Sequence, residues 1–206
     1  MTDILIARLR QRAADPRRAT DQSGRFLKTS VAPVLDEHLV ARAEECLRQQ
    51  LPPLLRDAYR YVANGGFGPG YGIFPLLPAS EPTGEESAVG LHTAFCSFDP
   101  NDPAWSWPIN LLPFCDWGCA IRTCVDCSSA EGTVVTFDPN VRGVGEPMST
   151  AFAVTHSSLH GWFSDWIAGV KLWDVMFEPD PGRAQTGINP LTKEPFVMVP
   201  TKLRRE

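Results

Sequence analysis

Apolar residues recur at helical spacing in four parts of the chain, and each part predicts an amphipathic helix. The first is a short helix over residues 4–12. Asp36 is a favourable N-cap for a second helix, and Pro53 can open the first turn of a third. Ser157 or Ser158 would cap the fourth, late in the chain. The apolar stripes of the last three helices are Leu39, Val40, Ala43 and Leu47; Leu54, Leu55, Ala58, Tyr59 and Val62; and Leu159, Trp162, Phe163, Trp166, Ile167 and Val170.

Strand patterns lie between the third and fourth helices. Residues 71–77, YGIFPLL, predict one strand, and a long acidic surface loop follows over residues 78–90. The segments CAIRTCVDC, residues 119–127, and TVVTFD, residues 133–138, are apolar and β-branched, and the turn residues SSAEG join them. This pattern predicts a β-hairpin. The proline-rich segment after residue 178 is expected to be extended along the surface.

The segment NGGFGPGYG, residues 64–72, holds five glycines and raises the question of a phosphate-binding loop. A dinucleotide fingerprint needs G-x-G-x-x-G between a strand and a helix, and neither glycine register fits that spacing. The segment also follows a helix, and the C-terminal end of a helix repels phosphate. We therefore expect Asn64 and Gly65 to end the helix in left-handed conformation, and the remaining glycines to lead the chain into a strand.

Composition and charge limit the class of protein. The 206 residues suit one domain with a sizeable core, and no apolar run reaches the roughly 20 residues that span a bilayer. The start has no secretory layout, so we expect a cytoplasmic protein. Residues 1–28 carry seven basic and three acidic groups, whereas residues 29–192 carry eight basic and nineteen acidic groups. Such an acidic body would repel nucleic acid and attract a basic partner, although acidity alone can also serve solubility.

Four cysteines lie within thirteen residues, Cys115, Cys119, Cys124 and Cys127, and suggest a zinc site at first sight. On a straight strand Cys119 and Cys127 would share one face while Cys124 points to the other, so one tetrahedral ion could not gather all four. Buried thiols are the favoured interpretation, with a redox role and a metal site as the alternatives. We predict no metal and no cofactor.

The remaining candidate groups do not form a known catalytic pattern. His156 and His160 stand at i and i+4 but lack the intervening glutamate of a zinc-protease helix. No nucleophile-elbow or kinase signature occurs. Asp126 lies within an apolar strand, where a structural hydrogen-bond acceptor is a more common role than a catalyst. We therefore predict that the protein is not an enzyme.

Two blocks of sequence together resemble the SUKH superfamily, which includes fungal cell-wall assembly regulators and bacterial immunity proteins. The first block is LPPLLRDAYRYVANGGFGPGYGIFPL, residues 51–76, and the second is WPINLLPFCDWGCAIRTCVDCSSAEGTVVTFDPN, residues 107–140. The late helix with Trp162 and Trp166 resembles the closing helix of that family. The residues that carry the resemblance as structural positions are Leu51, Pro52, Asn64, Gly65, Gly66, Gly68, Gly72, Trp107, Trp117, Gly118 and Asp126.

The resemblance implies an α+β fold with a mainly antiparallel sheet packed against helices. The resemblance covers roughly residues 36–170 and does not account for the first 28 residues or the proline-rich tail. We expect one such domain over residues 29–178, a basic extension with a short helix over residues 1–28, and a proline-rich extended tail over residues 179–206 that packs on the domain or trails from it. Family members act by binding, and the bacterial ones are thought to neutralise polymorphic toxins, many of them nucleases. No shared catalytic residues come with the family.

The function that follows is a stoichiometric immunity protein, with a regulatory scaffold as the first alternative and an enzyme or small-molecule binder as the second. The expected partner is a protein, a basic toxin domain, and neither nucleic acid nor a membrane. An acidic, aromatic-bearing face would cover the basic cleft of the toxin. The candidate partner-binding residues are Glu81, Glu85, Glu86, Asp99, Asp102 and Trp105.

Overall fold

The computed structural model describes residues 2–15, 17, 27, 30–77, 87–97, 99–177, 185–188 and 195–198. The described helices are α1 (Thr2–Ala14), α2 (Glu37–Leu47), α3 (Pro53–Tyr61), α4 (Ala88–Phe95), α5 (Leu159–Ile167) and α6 (Leu172–Phe177). The described strands are β1 (Gly72–Ile73), β2 (Leu111–Gly118), β3 (Ile121–Asp126), β4 (Val134–Phe137), β5 (Phe152–His156), β6 (Gln185–Ile188) and β7 (Pro195–Met198). Two short 3-10 helices span Pro139–Val141 and Met148–Ala151.

The first five strands form one antiparallel sheet in the order β1-β2-β3-β4-β5. The predicted hairpin is its centre, since β3 pairs with β4 from Arg122 opposite Phe137 to Val125 opposite Val134. Within residues 179–206, β6 and β7 form a separate antiparallel pair. The α+β fold with a mainly antiparallel sheet is therefore confirmed.

Side chains alternate across the sheet, so its two faces support two apolar clusters. On the inner face, Leu112, Val125 and Val134 contribute to the main core, which the helices cover. On the outer face, Cys124, Val135 and Phe137 belong to a smaller cluster. No described helix has both the length and the apolar character needed to cross a membrane.

The predicted helices occur where their capping residues place them. Asp36 accepts a hydrogen bond from Leu39 N at 2.8 Å at the start of α2, and Pro53 opens α3. Ser158, rather than Ser157, caps α5 through a bond from Gly161 N. Helix α5 ends at Ile167, three residues before the end of its apolar stripe, because Gly169 turns the chain with a φ of 78°.

Helix α1 extends two residues beyond each end of the predicted segment. Its buried side comprises Leu5, Ile6, Leu9 and Ala13, which belong to the main core, and the helix packs against α3 and α5. The guanidinium of Arg12 lies 5.6 Å from the ring centroid of Trp166 on α5. This helix is therefore part of the core of the fold.

The strand predicted over residues 71–77 is wrong in length, because only Gly72 and Ile73 are in β1. Phe74 N still donates to Phe114 O at 2.8 Å, but Pro75 has no N–H with which to continue the ladder. Leu76 N then donates to the side chain of Asn64 at 2.8 Å, so the chain leaves the sheet.

The acidic loop predicted over residues 78–90 is wrong at its end, since α4 begins at Ala88 with Ser87 as its N-cap. The eight residues of α4 carry no clear apolar stripe, and the glycine at position 90 further weakens a helical pattern.

Candidate functional site

Five aromatic side chains form a cluster on the outer face of the sheet: Phe95, Trp105, Trp107, Phe137 and Phe152. The rings of Trp105 and Trp107 stack at 21° with centroids 6.3 Å apart. Trp107 also meets Phe137 edge-on at 5.0 Å. Trp107 and Phe137 are buried, whereas Phe95, Trp105 and Phe152 are partly exposed. The cluster therefore combines a packed centre with a rim that solvent reaches.

Residues 99–105 run along this cluster as a series of tight turns, and Trp105 is held in place at their end. Asp102 N donates to Asp99 O at 3.3 Å, and Trp105 N donates to Asp102 O at 2.8 Å. The indole Nε1 of Trp105 donates to Phe95 O at 2.7 Å. The position of Trp105 is therefore fixed by one hydrogen bond from its backbone and one from its indole ring.

A buried ion pair between Asp102 and Arg142 joins these turns to residues 142–146, and we name the two segments together the clamped loops. The side chains of the pair retain only 9% and 6% exposure. Asp102 also accepts hydrogen bonds from Gly145 N at 3.2 Å and Ala104 N at 3.3 Å. The hydrogen bond from Arg142 lowers the pKa of the Asp102 carboxyl, so the pair stays ionised at neutral pH.

The second of the clamped loops is closed on itself and has an apolar tip. Arg142 Nε donates to Glu146 O at 2.8 Å, and Gly143 N donates to the Glu146 carboxylate at 2.9 Å. Val144, at the tip, is 80% exposed. Gly145 N also donates to Asp102, so the backbone on both sides of Val144 is held by hydrogen bonds.

The structure brings three of the six predicted partner-binding residues together in the clamped loops: Asp99, Asp102 and Trp105. The carboxylate of Asp102 is bound to Arg142 inside the clamp, whereas Asp99 and Trp105 are partly exposed. Glu81, Glu85 and Glu86 lie outside the described residues. Sequence reasoning missed Arg142, Val144 and Glu146, and the only local sign of them is the turn-forming segment RGVGEP.

The first family block supports the core. Leu51 is buried, and its N–H donates to the buried Glu44 at 3.0 Å. The prediction that Asn64 adopts the left-handed conformation is wrong. Among the described non-glycine residues, positive φ occurs at Arg48, Cys119 and Ala120, and Asn64 is not one of them. Its side chain instead binds the backbone of residues 76 and 77. The five glycines of the block all have positive φ: Gly65, Gly66, Gly68, Gly70 and Gly72.

The second family block fixes the sheet and its turns. Trp107 donates from Nε1 to Leu111 O at 2.9 Å, and Trp117 donates to Thr123 Oγ1 at 2.7 Å. Asp126 accepts hydrogen bonds from Asn110 Nδ2 at 2.5 Å and from Ser128 Oγ at 2.6 Å. In this position Asp126 closes the turn after β3. Gly118, with a φ of 79°, opens the turn between β2 and β3, and Pro52 lies against the turn before β4.

The four clustered cysteines are separated by the fold. Cys115 and Cys124 are buried, Cys127 is partly buried, and Cys119 is exposed in the turn between β2 and β3. Desolvation raises the pKa of the Cys115, Cys124 and Cys127 thiols, which keeps them protonated at neutral pH. Among the described residues, no three metal-ligating side chains lie together in a way that could hold an ion.

The histidines occupy different environments. His156 is buried with Nε2 3.4 Å from Asp165 Oδ2, whereas His160 is exposed. His92 Nε2 lies 2.8 Å from Ile109 O and must donate to it, because a carbonyl only accepts. Cys96 Sγ is 3.7 Å from the same nitrogen, but burial raises the pKa of this thiol. The Cys96–His92 contact is therefore not an activated nucleophile.

Comparison with known families gives one match. A family model described as the SMI1 / KNR4 family (SUKH-1) matches residues 34–157, which is more than half of the chain. No curated protein matches the chain significantly. The matched region contains α2 to β5, and with them both family blocks and the clamped loops.

Proposed function

The chain belongs to the SMI1/KNR4 family (SUKH-1), and from this premise we propose that it is an immunity protein that neutralises a toxin by direct, stoichiometric binding. Family membership is the observation that carries the proposal, and it is consistent with either an immunity or a regulatory protein. The family is generally non-catalytic. Binding, rather than a reaction, is the mode of action that follows.

Charge supports a basic partner such as a nuclease domain. Residues 87–177, which include the whole sheet after β1, carry nine acidic and three basic side chains. Arg122 is paired with Asp116, and Arg142 is paired with Asp102. The remaining excess of carboxylates would attract a protein that itself binds phosphates, and opposite charge speeds association between such partners.

The test is co-expression with each reading frame that flanks the gene. We expect one of these frames to encode a product that stops growth, and we expect this chain to restore growth by forming a one-to-one complex with that product. A transcript with a stop codon at Trp107 is the control, because it keeps the RNA and removes the folded sheet.

Two outcomes would contradict the immunity function. In the first, no flanking product is toxic. In the second, a toxic product is bound by the chain but growth is not restored, which would favour a regulatory interaction.

A further inference from the structure

The clamped loops combine three features on one surface. They carry a partly exposed tryptophan ring, Trp105, next to a buried aromatic cluster. They carry carboxylates at Asp99, which is partly exposed, and at Glu146, which is exposed, one in each of the two segments that the Asp102–Arg142 ion pair joins. They carry an apolar tip, Val144, that is 80% exposed.

A surface that carries both an aromatic ring and carboxylates suits a cation that is also planar. A guanidinium can lie on the face of a tryptophan while its N–H groups bind a carboxylate. A lysine ammonium offers no flat surface for stacking and is more strongly hydrated. Since residues 87–177, the stretch of chain that includes both clamped loops, have nine acidic and three basic groups, a positively charged side chain is also favoured over a neutral or acidic one.

The clamp makes the surface rigid before a partner arrives. Asp102 is fixed by Arg142 and by the N–H groups of Gly145 and Ala104, so separating the two loops would break the ion pair and the hydrogen bond from Gly145. Trp105 is likewise fixed by its own bond to Phe95 O. A binding surface that is ordered in advance loses less conformational entropy when it binds.

We propose that the clamped loops bind an arginine side chain on an exposed loop of a basic protein partner. Trp105 supplies the stacking ring, Asp99 and Glu146 supply the carboxylates, and Val144 contacts the apolar part of the partner loop. Asp102 and Arg142 act as positioning residues. This inference rests on the proposed function for the identity of the partner, but the surface can be tested without one.

The probes are two blocked peptides, Ac-GRGRGRG-NH2 and Ac-GKGKGKG-NH2, titrated into the full-length ¹⁵N-labelled protein at low salt. We expect the arginine peptide to bind at least about threefold more tightly than the lysine peptide, with the largest amide shifts at Val144, Glu146 and the Trp105 indole. Trp105→Leu should weaken the arginine peptide about two- to fivefold, the range that an exposed cation–π contact gives.

The matched control for charge is Glu131→Gln, which removes one exposed carboxylate from the turn between β3 and β4. Asp99→Asn should weaken the arginine peptide more than Glu131→Gln does. If Trp105→Leu does not fold, the shifts of Val144 and Glu146 in the unmodified protein decide the matter. Equal binding of the two peptides, equal effects of the two charge variants, or shifts away from the clamped loops would each overturn the proposal.

Failure here is distinguishable from failure of the immunity function. Peptide binding at the clamped loops without protection from a flanking toxin would retain this surface and reject the immunity function. Protection from a toxin, with no preference for the arginine peptide at these loops, would support the immunity function and reject the clamped loops as an arginine-binding surface.

Discussion

At the scale of single residues, the turn between β2 and β3 contains a local conflict between sequence and backbone. Cys119 and Ala120 both have positive φ, 50° and 63°, a conformation that glycine or asparagine adopts more easily. Asn140 Nδ2 donates to Cys119 O at 2.8 Å and holds the turn from outside. The conformation is therefore imposed by the hairpin and not by the two residues themselves.

Ala120→Gly is predicted to raise the free energy of unfolding by about 0.5–1 kcal/mol, because the steric cost of positive φ that it removes is larger than the cost of the extra conformational entropy that glycine gives the unfolded chain. Urea denaturation measures the change. Ala130→Gly, at an exposed alanine of ordinary φ, is the control and should lower stability by a similar amount. A loss of stability in Ala120→Gly would show that this turn carries no steric strain.

His92 predicts a dependence of stability on pH. Burial lowers the pKa of its imidazole below the ordinary 6.5, so the unfolded chain takes up a proton at a higher pH than the folded chain does. The contribution of His92 is therefore present above about pH 6.5 and is lost as the pH falls from 6.5 through the folded pKa.

His92→Gln keeps an N–H donor near Ile109 O and removes the titration, so the loss of stability between pH 7.5 and about 5 should be smaller than in the unmodified protein. Urea unfolding at several pH values measures the slope. His38→Gln changes an exposed histidine and is the control, with the original slope expected. An unchanged slope in His92→Gln would contradict the assignment to His92.

At the scale of elements, the glycine segment after α3 is a packing device. A Cβ on Gly66, whose φ is 74°, would lie 1.9 Å from Ser30 O, and a Cβ on Gly65 would lie 2.6 Å from Pro75 N. The backbones of two other segments therefore lie so close to these two glycines that a side chain at either position would clash with them.

Gly66→Ala is predicted to lower the free energy of unfolding by about 1–3 kcal/mol more than Gly169→Ala does, because the second glycine has a φ of 78° but nothing within 4 Å of its Cβ position. Both variants carry the cost of positive φ, about 1–2 kcal/mol, so their difference isolates the close approach. Thermal and urea unfolding both report it. Equal destabilisation would mean that residue 30 moves aside easily.

The sequence predicted those helices and strands whose signals lie within a few neighbouring residues. In each of helices α2, α3 and α5, the N-terminal residue that starts the helix and the apolar stripe lie close together in sequence. The two strands at the centre of the sheet are rich in β-branched residues. The truncation of β1 depends on Asn64, a side chain twelve residues from its partner Leu76, and the Asp102–Arg142 clamp joins residues forty positions apart. Such contacts leave no periodicity in a single sequence.

At the scale of the whole molecule, the packed unit is larger than the matched region. The family model begins at residue 34, yet the buried side of α1 belongs to the main core and contacts α3 and α5. The first helix therefore covers apolar surface that α3 and α5 would otherwise expose to water.

Leu9→Ala is predicted to lower the free energy of unfolding by about 2–4 kcal/mol, because Leu9 is fully buried and its loss leaves a cavity. Ile4→Ala, on the same helix but 69% exposed, should change stability by less than about 0.5 kcal/mol. Urea denaturation distinguishes the two. Near-equal, small effects would show that α1 is separable from the core.

The proposed neutralisation of a toxin by stoichiometric binding can be tested by titrating purified protein into a fixed amount of the flanking toxin domain and assaying the residual toxin activity. We expect a linear loss of toxin activity that ends at one molecule of this chain per toxin, with no effect of incubation time after the complex has formed. The Trp105→Leu variant should leave the end-point at one to one and weaken the complex. Loss of activity at far below one equivalent, increasing with time, would show turnover and contradict a binding mechanism; no loss at any ratio would contradict neutralisation itself.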